Sequence, residues 1–238
     1  MRMTTFLIAT RNAHKMMEIK SILGPQFHFL TLTDVPGSPH IVEDAPDFAG
    51  NAQKKSIGLA KWLAASAVPG PSGGFFVLAD DSGLEVDALN GAPGVHSARF
   101  AALDRTEQSP GSASQNSSDA ENNAKLLRLL NSVPFAKCSA RFRCVIALTP
   151  VISRSRKNHS PVCGSEEMEL RTELFDGVCE GRISRTPAGA GGFGYDPLFV
   201  PEGFEQSFAQ LGEEVKNKIS HRAQAIAALR AGLRDIAN

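Results

Sequence analysis

The 238 residues carry 25 basic and 25 acidic side chains, so the formal net charge is zero. A duplex-binding protein shows a basic excess; its absence argues against bulk nucleic-acid binding, while a free nucleotide needs only a local cationic patch. No apolar run is long enough to span a bilayer, and the N-terminus has neither a long apolar h-region nor a cleavage pattern, so a cytoplasmic protein is expected.

The chain opens on Thr5-Phe6-Leu7-Ile8-Ala9, a short buried strand by composition. Residues 12–23 predict a helix, with Asn12 as its cap, Met16, Ile19, Ile22 and Leu23 on one apolar stripe, and Gly24-Pro25 to stop it. Phe27 to Leu32 reads as a second strand. A long helix is predicted over 48–67, with Ala52, Leu59, Ala60, Leu63 and Ala67 mostly inward, and Pro69 to Gly74 as a turn-rich link. Phe75-Phe76-Val77-Leu78 predicts a buried strand closing at Asp80-Asp81, with 84–89 alternating like another. Residues 104–121 are rich in Ser, Asn, Gln and Gly and too polar to drive their own ordering, so a mobile loop is expected. A helix follows at about 121–131, through Ala124, Leu126, Leu127, Leu129 and Leu130. Ser139 to Leu148 reads as a long strand, 150–166 as a polar hairpin connection, and Glu169 to Arg182 as the return strand. Leu198-Phe199-Val200 is strand-like, and an amphipathic helix closes the chain over 221–236 through Ala225, Ile226, Leu229 and Leu233. The four cysteines, Cys138, Cys144, Cys163 and Cys179, form no C-x-x-C pair and no zinc-spaced cluster, so buried free thiols in a reducing compartment are expected. Helices alternating with strands early and antiparallel strands in the middle imply an α/β fold with a mixed sheet. We find no internal repeat, and the whole chain, 1–238, is read as one domain.

Four stretches carry chemistry. Two adjacent carboxylates closing an apolar strand, Asp80-Asp81, are costly unless used. Alternation sends them to opposite faces. Followed by Ser82-Gly83 they suit a metal-held phosphate, or a polar turn with a capping Asp and a permissive Gly. Thr10-Arg11-Asn12-Ala13-His14-Lys15 runs from a strand into a helix N-terminus, an anion site by geometry, although an ordinary capped helix has the same look; the P-loop pattern is absent. Gly189-Ala190-Gly191-Gly192-Phe193-Gly194 formally matches the dinucleotide fingerprint, but Pro197 and a strand follow where a helix should open. Its glycines are read instead as letting backbone approach a flat base near Phe193 or Tyr195. His221 and Arg222, in the first turn of a helix, oppose its dipole and so either carry a structural cost or attract an anion or carbonyl oxygen.

These motifs, in this order from about residue 5 to about 230, closely resemble the inosine/xanthosine triphosphate pyrophosphatase family, whose members hydrolyse deaminated purine nucleoside triphosphates. The resemblance implies an elongated mixed β-sheet with flanking helices, two lobes around a central nucleotide-binding cleft, and a homodimer. Carried over by position, it puts Thr10, Asn12 and Lys15 on the triphosphate, with Arg11, Ala13 and His14 in the same stretch. Arg11 stands where many members carry a smaller residue, which leaves its role open, and His14 matches no catalytic position. Glu43 matches the acidic metal ligand, although the usual Thr-Gly before Phe48 is replaced by Ala45-Pro46-Asp47 and Asp44 remains a rival; Asp47 can simply cap the helix. Lys55 matches a phosphate-directed Lys, with Lys54 facing solvent. Asp81 matches the residue that binds the metal and acts as base for water, Ser82 touches the nucleotide, and Asp80 faces the other way to support the turn. Phe193, Gly194, Tyr195 and Asp196 fall at the substrate, Lys216 on phosphate, and His221 with Arg222 at the base. The implied reaction uses Mg²⁺ on Glu43 and Asp81, attack of water at the α-phosphorus, and Lys15, Lys55 and Lys216 around the leaving pyrophosphate. Donors around the purine 6-position would select ITP, dITP and XTP over ATP. Two alternatives stay open: a pyrophosphatase for other modified nucleotides, and a nucleotide sensor that binds without turnover.

Overall fold

The computed structural model describes residues 3–66, 74–104, 116–152 and 171–236. Its elements are β1 Thr5–Ile8, α1 Ala13–Leu23, β2 His28–Thr31, α2 Phe48–Ala65, β3 Phe75–Val86, α3 Asp119–Leu130, β4 Ser139–Pro150, β5 Glu173–Ile183, β6 Phe199–Pro201, α4 Phe208–Ile219 and α5 His221–Ile236. They build a six-stranded open sheet in the order β2-β1-β3-β4-β5-β6. β1 runs parallel to both β2 and β3, whereas β3-β4, β4-β5 and β5-β6 are antiparallel. The mixed α/β sheet is therefore as expected.

Helices cover both faces where β1, β3 and β4 meet. On one face α1 and α5 bury Ile19, Leu23, Ile226 and Leu229 against Phe6, Leu78 and Ile146. On the other, α2 buries Leu59, Ala60 and Leu63 against Leu7, Val77 and Ala79. A separate core sits toward the other end of the long strands, where Leu84, Val86 and Phe142 meet Leu126 and Leu130 of α3, with Phe199 and Phe208. The cleft described below lies between these bodies of packing.

Three expectations change. First, the strand does not end at Asp80-Asp81. β3 continues through Val86, with Asp80 opposite Ile146, Asp81 opposite Val145 and Gly83 opposite Arg143. β4 supplies an unbroken partner, so no turn is needed, and only 87–89 leave the strand, as a short 3₁₀ turn. Gly83 is a packing glycine: a Cβ there would lie 2.4 Å from Ser97 Oγ and 2.5 Å from the Gly94 carbonyl oxygen. Second, α3 starts at Asp119, closed by a capping box in which Ser118 and Glu121 satisfy each other's backbone N–H. Residues 119 and 120 thus belong to a helix, not a loop; 105–115 and 153–170, which hold most of the two polar segments and Cys163, lie outside the described residues, as do 67–73. Third, α4 was not expected. Gly212, at φ 78° and ψ 171°, kinks it in the middle and breaks its apolar periodicity. The described cysteines Cys138, Cys144 and Cys179 are buried free thiols.

Candidate active site

A cavity of about 820 Å³ opens where β1 runs into α1, bounded by α2, the middle of β3, the 3₁₀ segment Gly94–Arg99, the turn before β6, and the junction of α4 with α5. It gathers Thr10, Arg11, Asn12, Lys15, Glu43, Lys55, Asp81, Ser82, Phe193, Gly194, Tyr195, Asp196, Lys216, His221 and Arg222. Ala13 and His14 do not line it. On a helix Asn12 and Lys15 share a face and the two residues between them turn away; the His14 ring stacks on Phe193 instead, at 5.2 Å between centroids. Asn12 caps α1, its Oδ1 accepting from the His14 and Lys15 backbone N–H groups at 2.9 and 3.2 Å.

The pleat of β3 divides the two carboxylates. Asp80 is buried among Lys15 Nζ at 2.5 Å, Arg222 Nη2 at 3.2 Å and the Cys144 thiol at 3.0 Å. Burial pushes its carboxyl up, but Arg222 and Lys15 outweigh burial and hold it far below the usual carboxylate range. It is therefore a charge hub, not the support of a turn. Asp81 faces the cavity. Its Oδ2 accepts from Asn51 Nδ2 at 3.0 Å and its Oδ1 from the Ser82 N–H at 3.1 Å. Burial pushes this carboxyl up to about 6, against the pull of Lys15, Lys55 and the Asn51 amide. It is thus a carboxylate held poorly solvated, able to take a proton near neutrality.

Around it Lys55, Lys216 and Arg222 are already paired. Lys55 Nζ lies 2.8 Å from Glu43 and donates to the Asp80 carbonyl at 3.0 Å. The rival Asp44 instead pairs with Lys54 at 2.5 Å on the surface, outside the cavity lining. Asp47 caps α2 by accepting from the Gly50 N–H at 2.7 Å. Lys216 is buried against Asp196 at 2.5 Å and Glu18 at 2.8 Å, with its ammonium 4.5 Å above the Phe193 ring. Arg222 is almost wholly buried, bridging Glu18 and Asp80 and donating to Ser82 Oγ at 2.8 Å. The cost of a cation in the first turn of α5 is thereby offset by two carboxylates, while Arg222 also lines the cavity. His221 differs. Burial, then Arg222 and Lys216, drive it to the neutral form. Its ring stacks on Phe142 at 4.7 Å, and its Nδ1 has no hydrogen-bond partner.

The glycine-rich turn serves packing more than a base. A Cβ on Gly189 would strike the Ala209 backbone at 2.5 Å, and one on Gly192 would strike Asp196 Oδ2 at 2.1 Å. Gly194, at φ 62°, is clamped by α3: its N–H donates to Asp119 Oδ2 at 2.6 Å and its carbonyl accepts from Asn123 Nδ2 at 3.0 Å. Tyr195 is buried and donates to the Ser97 carbonyl at 2.9 Å, so it ties the turn to the opposite wall. Phe193 keeps a partly exposed face on the cavity.

Sequence reasoning missed Glu18, Asn51 and Asp119. The first two carried a signal: Glu18 lies three residues after Lys15 on α1, and Asn51 four before Lys55 on α2, each on the same helix face as that lysine. Asp119 was hidden in a stretch read as loop.

The oxygen donors suit a hard cation. Glu43 and Asp81 share the cavity wall, and Asp81 makes no ion pair among the described residues. Mg²⁺ is commonly held by one or two carboxylates, with waters and substrate phosphates completing the shell. No group of three or more His, Cys, Asp or Glu built to hold a metal occurs among the described residues, so the donor set fits a cation that arrives with a phosphate ligand.

Fold and site together define an α/β protein with a deep, cation-rich cleft for a small anionic molecule. The chain belongs to the Ham1 family, whose model matches residues 6–232. It is similar to the dITP/XTP pyrophosphatase of Desulforamulus reducens, 41% identical with 92% of this chain and 90% of that protein covered. The dITP/XTP pyrophosphatase of Geobacter sulfurreducens is also 41% identical, over 96% of both chains. Among solved structures, the Ham1 protein of Staphylococcus aureus matches with TM-score 0.71 at 32% identity, covering 97% of this chain and 98% of that one. A HAM1 protein from Coxiella burnetii gives TM-score 0.73 at 32% identity, covering 98% and 100%.

Proposed function

We infer that this chain hydrolyses non-canonical purine nucleoside triphosphates, ITP, dITP and XTP, to the nucleoside monophosphate and pyrophosphate. The observation that carries the chemistry is Asp81, a buried carboxylate raised to about 6 in a cavity walled by cations. At neutral pH it is ionised yet basic enough to accept a proton from a water attacking the α-phosphorus, and is the general base in this reading. Glu43 and Asp81 would hold Mg²⁺, which when bound with substrate neutralises phosphate charge and makes a bound water more acidic. Lys15 and Lys55, both at the cavity wall, stabilise charge on the departing pyrophosphate. Lys216, fixed by Glu18 and Asp196, supports the same end with its position set in advance.

Base choice falls to His221 more than to Arg222. The neutral imidazole offers one N–H, and hypoxanthine and xanthine carry an acceptor oxygen at the purine 6-position. Where the ring presents its N–H to the base, adenine's amino donor would leave that N–H unpaired at a cost of about 1–3 kcal/mol. Guanine shares the oxygen, so rejection of GTP must come from the 2-position. We place the whole chain in one catalytic domain, acting as a cytoplasmic homodimer; no described helix is long and apolar enough to cross a membrane.

Pyrophosphate release from ITP, XTP, dITP, ATP, GTP and dUTP, with and without Mg²⁺, tests the reading. Preference for the first three supports it. Preference for dUTP would favour a pyrophosphatase for other modified nucleotides, and binding without release a sensor.

A further inference from the structure

We propose that Arg99 is a substrate-contacting cation that grips the polyphosphate arm, a role that rests on the cavity being a nucleoside triphosphate site. Six lysines and arginines line the cavity: Arg11, Lys15, Lys55, Arg99, Lys216 and Arg222. Lys15, Lys55, Lys216 and Arg222 are each in an ion pair with Asp80, Glu43, Glu18 or Asp196. Arg11 and Arg99 make no ion pair among the described residues. Arg11 is exposed on the short link between β1 and α1. Arg99 is half-buried in the wall.

The backbone around Arg99 is held on both sides. Ser97 Oγ accepts from the Leu84 N–H at 2.9 Å and donates to the Gly94 carbonyl at 2.6 Å. The buried Asn122 of α3 donates to the Ala98 carbonyl at 3.3 Å and accepts from the Ala101 N–H at 2.8 Å. Lys125 donates to the Phe100 carbonyl at 2.7 Å. Residues 97, 98, 100 and 101 are thus fixed by hydrogen bonds, while the Arg99 side chain has no counter-ion among the described residues. The same segment packs on Gly83, two residues from Asp81, with no room even for a Cβ between them. A cation carried at the cavity wall by a segment whose backbone is held in place, with no carboxylate partner among the described residues, is poised for the negative charge of a ligand. A planar fork of N–H donors matches phosphate oxygens bidentately, and the triphosphate is the most highly charged part of the substrate.

The test uses the full chain and inorganic tripolyphosphate as probe, measured by calorimetry in chelator, with inosine as the phosphate-free control. Arg99→Gln should weaken tripolyphosphate binding by on the order of tenfold to a hundredfold and leave inosine binding unchanged. Arg99→Lys, which keeps the charge and loses the fork, should fall between. If Arg99→Gln does not fold, the Arg99→Lys comparison carries the test. Unchanged tripolyphosphate affinity in a folded variant, or equal losses for tripolyphosphate and inosine, would overturn the assignment. Wild-type protein that binds tripolyphosphate through Arg99 yet releases no pyrophosphate from ITP would overturn the hydrolase reading and leave Arg99 standing. Wild-type turnover of ITP with an Arg99→Gln variant that binds tripolyphosphate normally would do the reverse.

Discussion

Asp81→Asn separates chemistry from stability, because the burial that makes Asp81 a base also makes it a burden on the fold. The carboxyl moves from 3.8 to about 6, with burial as the largest cause. The folded protein therefore holds this proton more tightly than the unfolded chain. Below about pH 3.8 the group is protonated in both states and costs nothing; the penalty grows as pH rises toward 6 and is constant above it. A shift of roughly two units corresponds to about 3 kcal/mol in that plateau. Asparagine removes the charge at nearly the same size. It can still accept from Asn51 or from the Ser82 N–H, but not from both without turning an amide N–H toward a donor, a loss of about 1 kcal/mol. The variant should thus be more stable than wild type by about 2 kcal/mol near pH 8, and by nearly nothing at about pH 4.5. Urea unfolding in chelator at both pH values measures this. Turnover of ITP should fall by about 10²–10⁴ at saturating Mg²⁺, with nucleotide affinity largely kept by the surrounding cations. Equal stabilisation at both pH values would show that burial of charge is not the cause. Near-normal turnover would remove Asp81 from the mechanism.

The free enzyme's kcat/KM for ITP should fall as pH drops below about 6, and added Mg²⁺ should move that acid limb to lower pH; a limb that ignores Mg²⁺ would separate Asp81 from the metal. His221→Phe should cut the ITP/ATP ratio of kcat/KM by about tenfold to a hundredfold, read from pyrophosphate release, whereas Arg222→Ala should harm both substrates alike. Arg222→Ala should also lose about 3–5 kcal/mol of stability, since it leaves the buried Asp80 and Glu18 short of a partner. Glu18→Gln should cost a similar order in urea unfolding, because it strips a carboxylate from both Lys216 and Arg222.

The parts of this fold that the sequence made legible are those governed by local pattern. The apolar stripe and cap of α1, the inward residues of α2 and the long runs of β4 and β5 follow from periodicity and capping chemistry that the surrounding structure does not override. Asp80-Asp81-Ser82-Gly83 failed as a local reading because its conformation is decided by β4, 60–66 residues away at Arg143 to Ile146, which pairs it as strand. Its glycine is required by Ser97 and Gly94, also distant in sequence. The order of motifs was enough to group most of the cavity residues, but not to reveal how they are paired. Nothing in Lys216 or Arg222 by itself announces Glu18, and so the anchoring of both cations was not legible. Asp119 was lost for a different reason: its helix begins inside a polar stretch whose composition resembles a linker.

The division of labour between Asp80 and Asp81 follows from the sheet itself. The two are neighbours in sequence with the same side chain, yet one is held far below the usual range and the other is raised to about 6. The pleat sends Asp80 to the face where α1 and α5 bring Lys15 and Arg222, and Asp81 to the face where α2 brings an amide, Asn51, with Lys55 turned to Glu43. Opposite environments on opposite faces thus make one permanent anion, which holds cations in place, and one carboxylate that can exchange a proton. A turn at this point could not do this, because it would not keep adjacent side chains on opposed faces. The unbroken strand is therefore a requirement of the proposed chemistry, and a slip of one residue in the β3–β4 register would exchange the two roles.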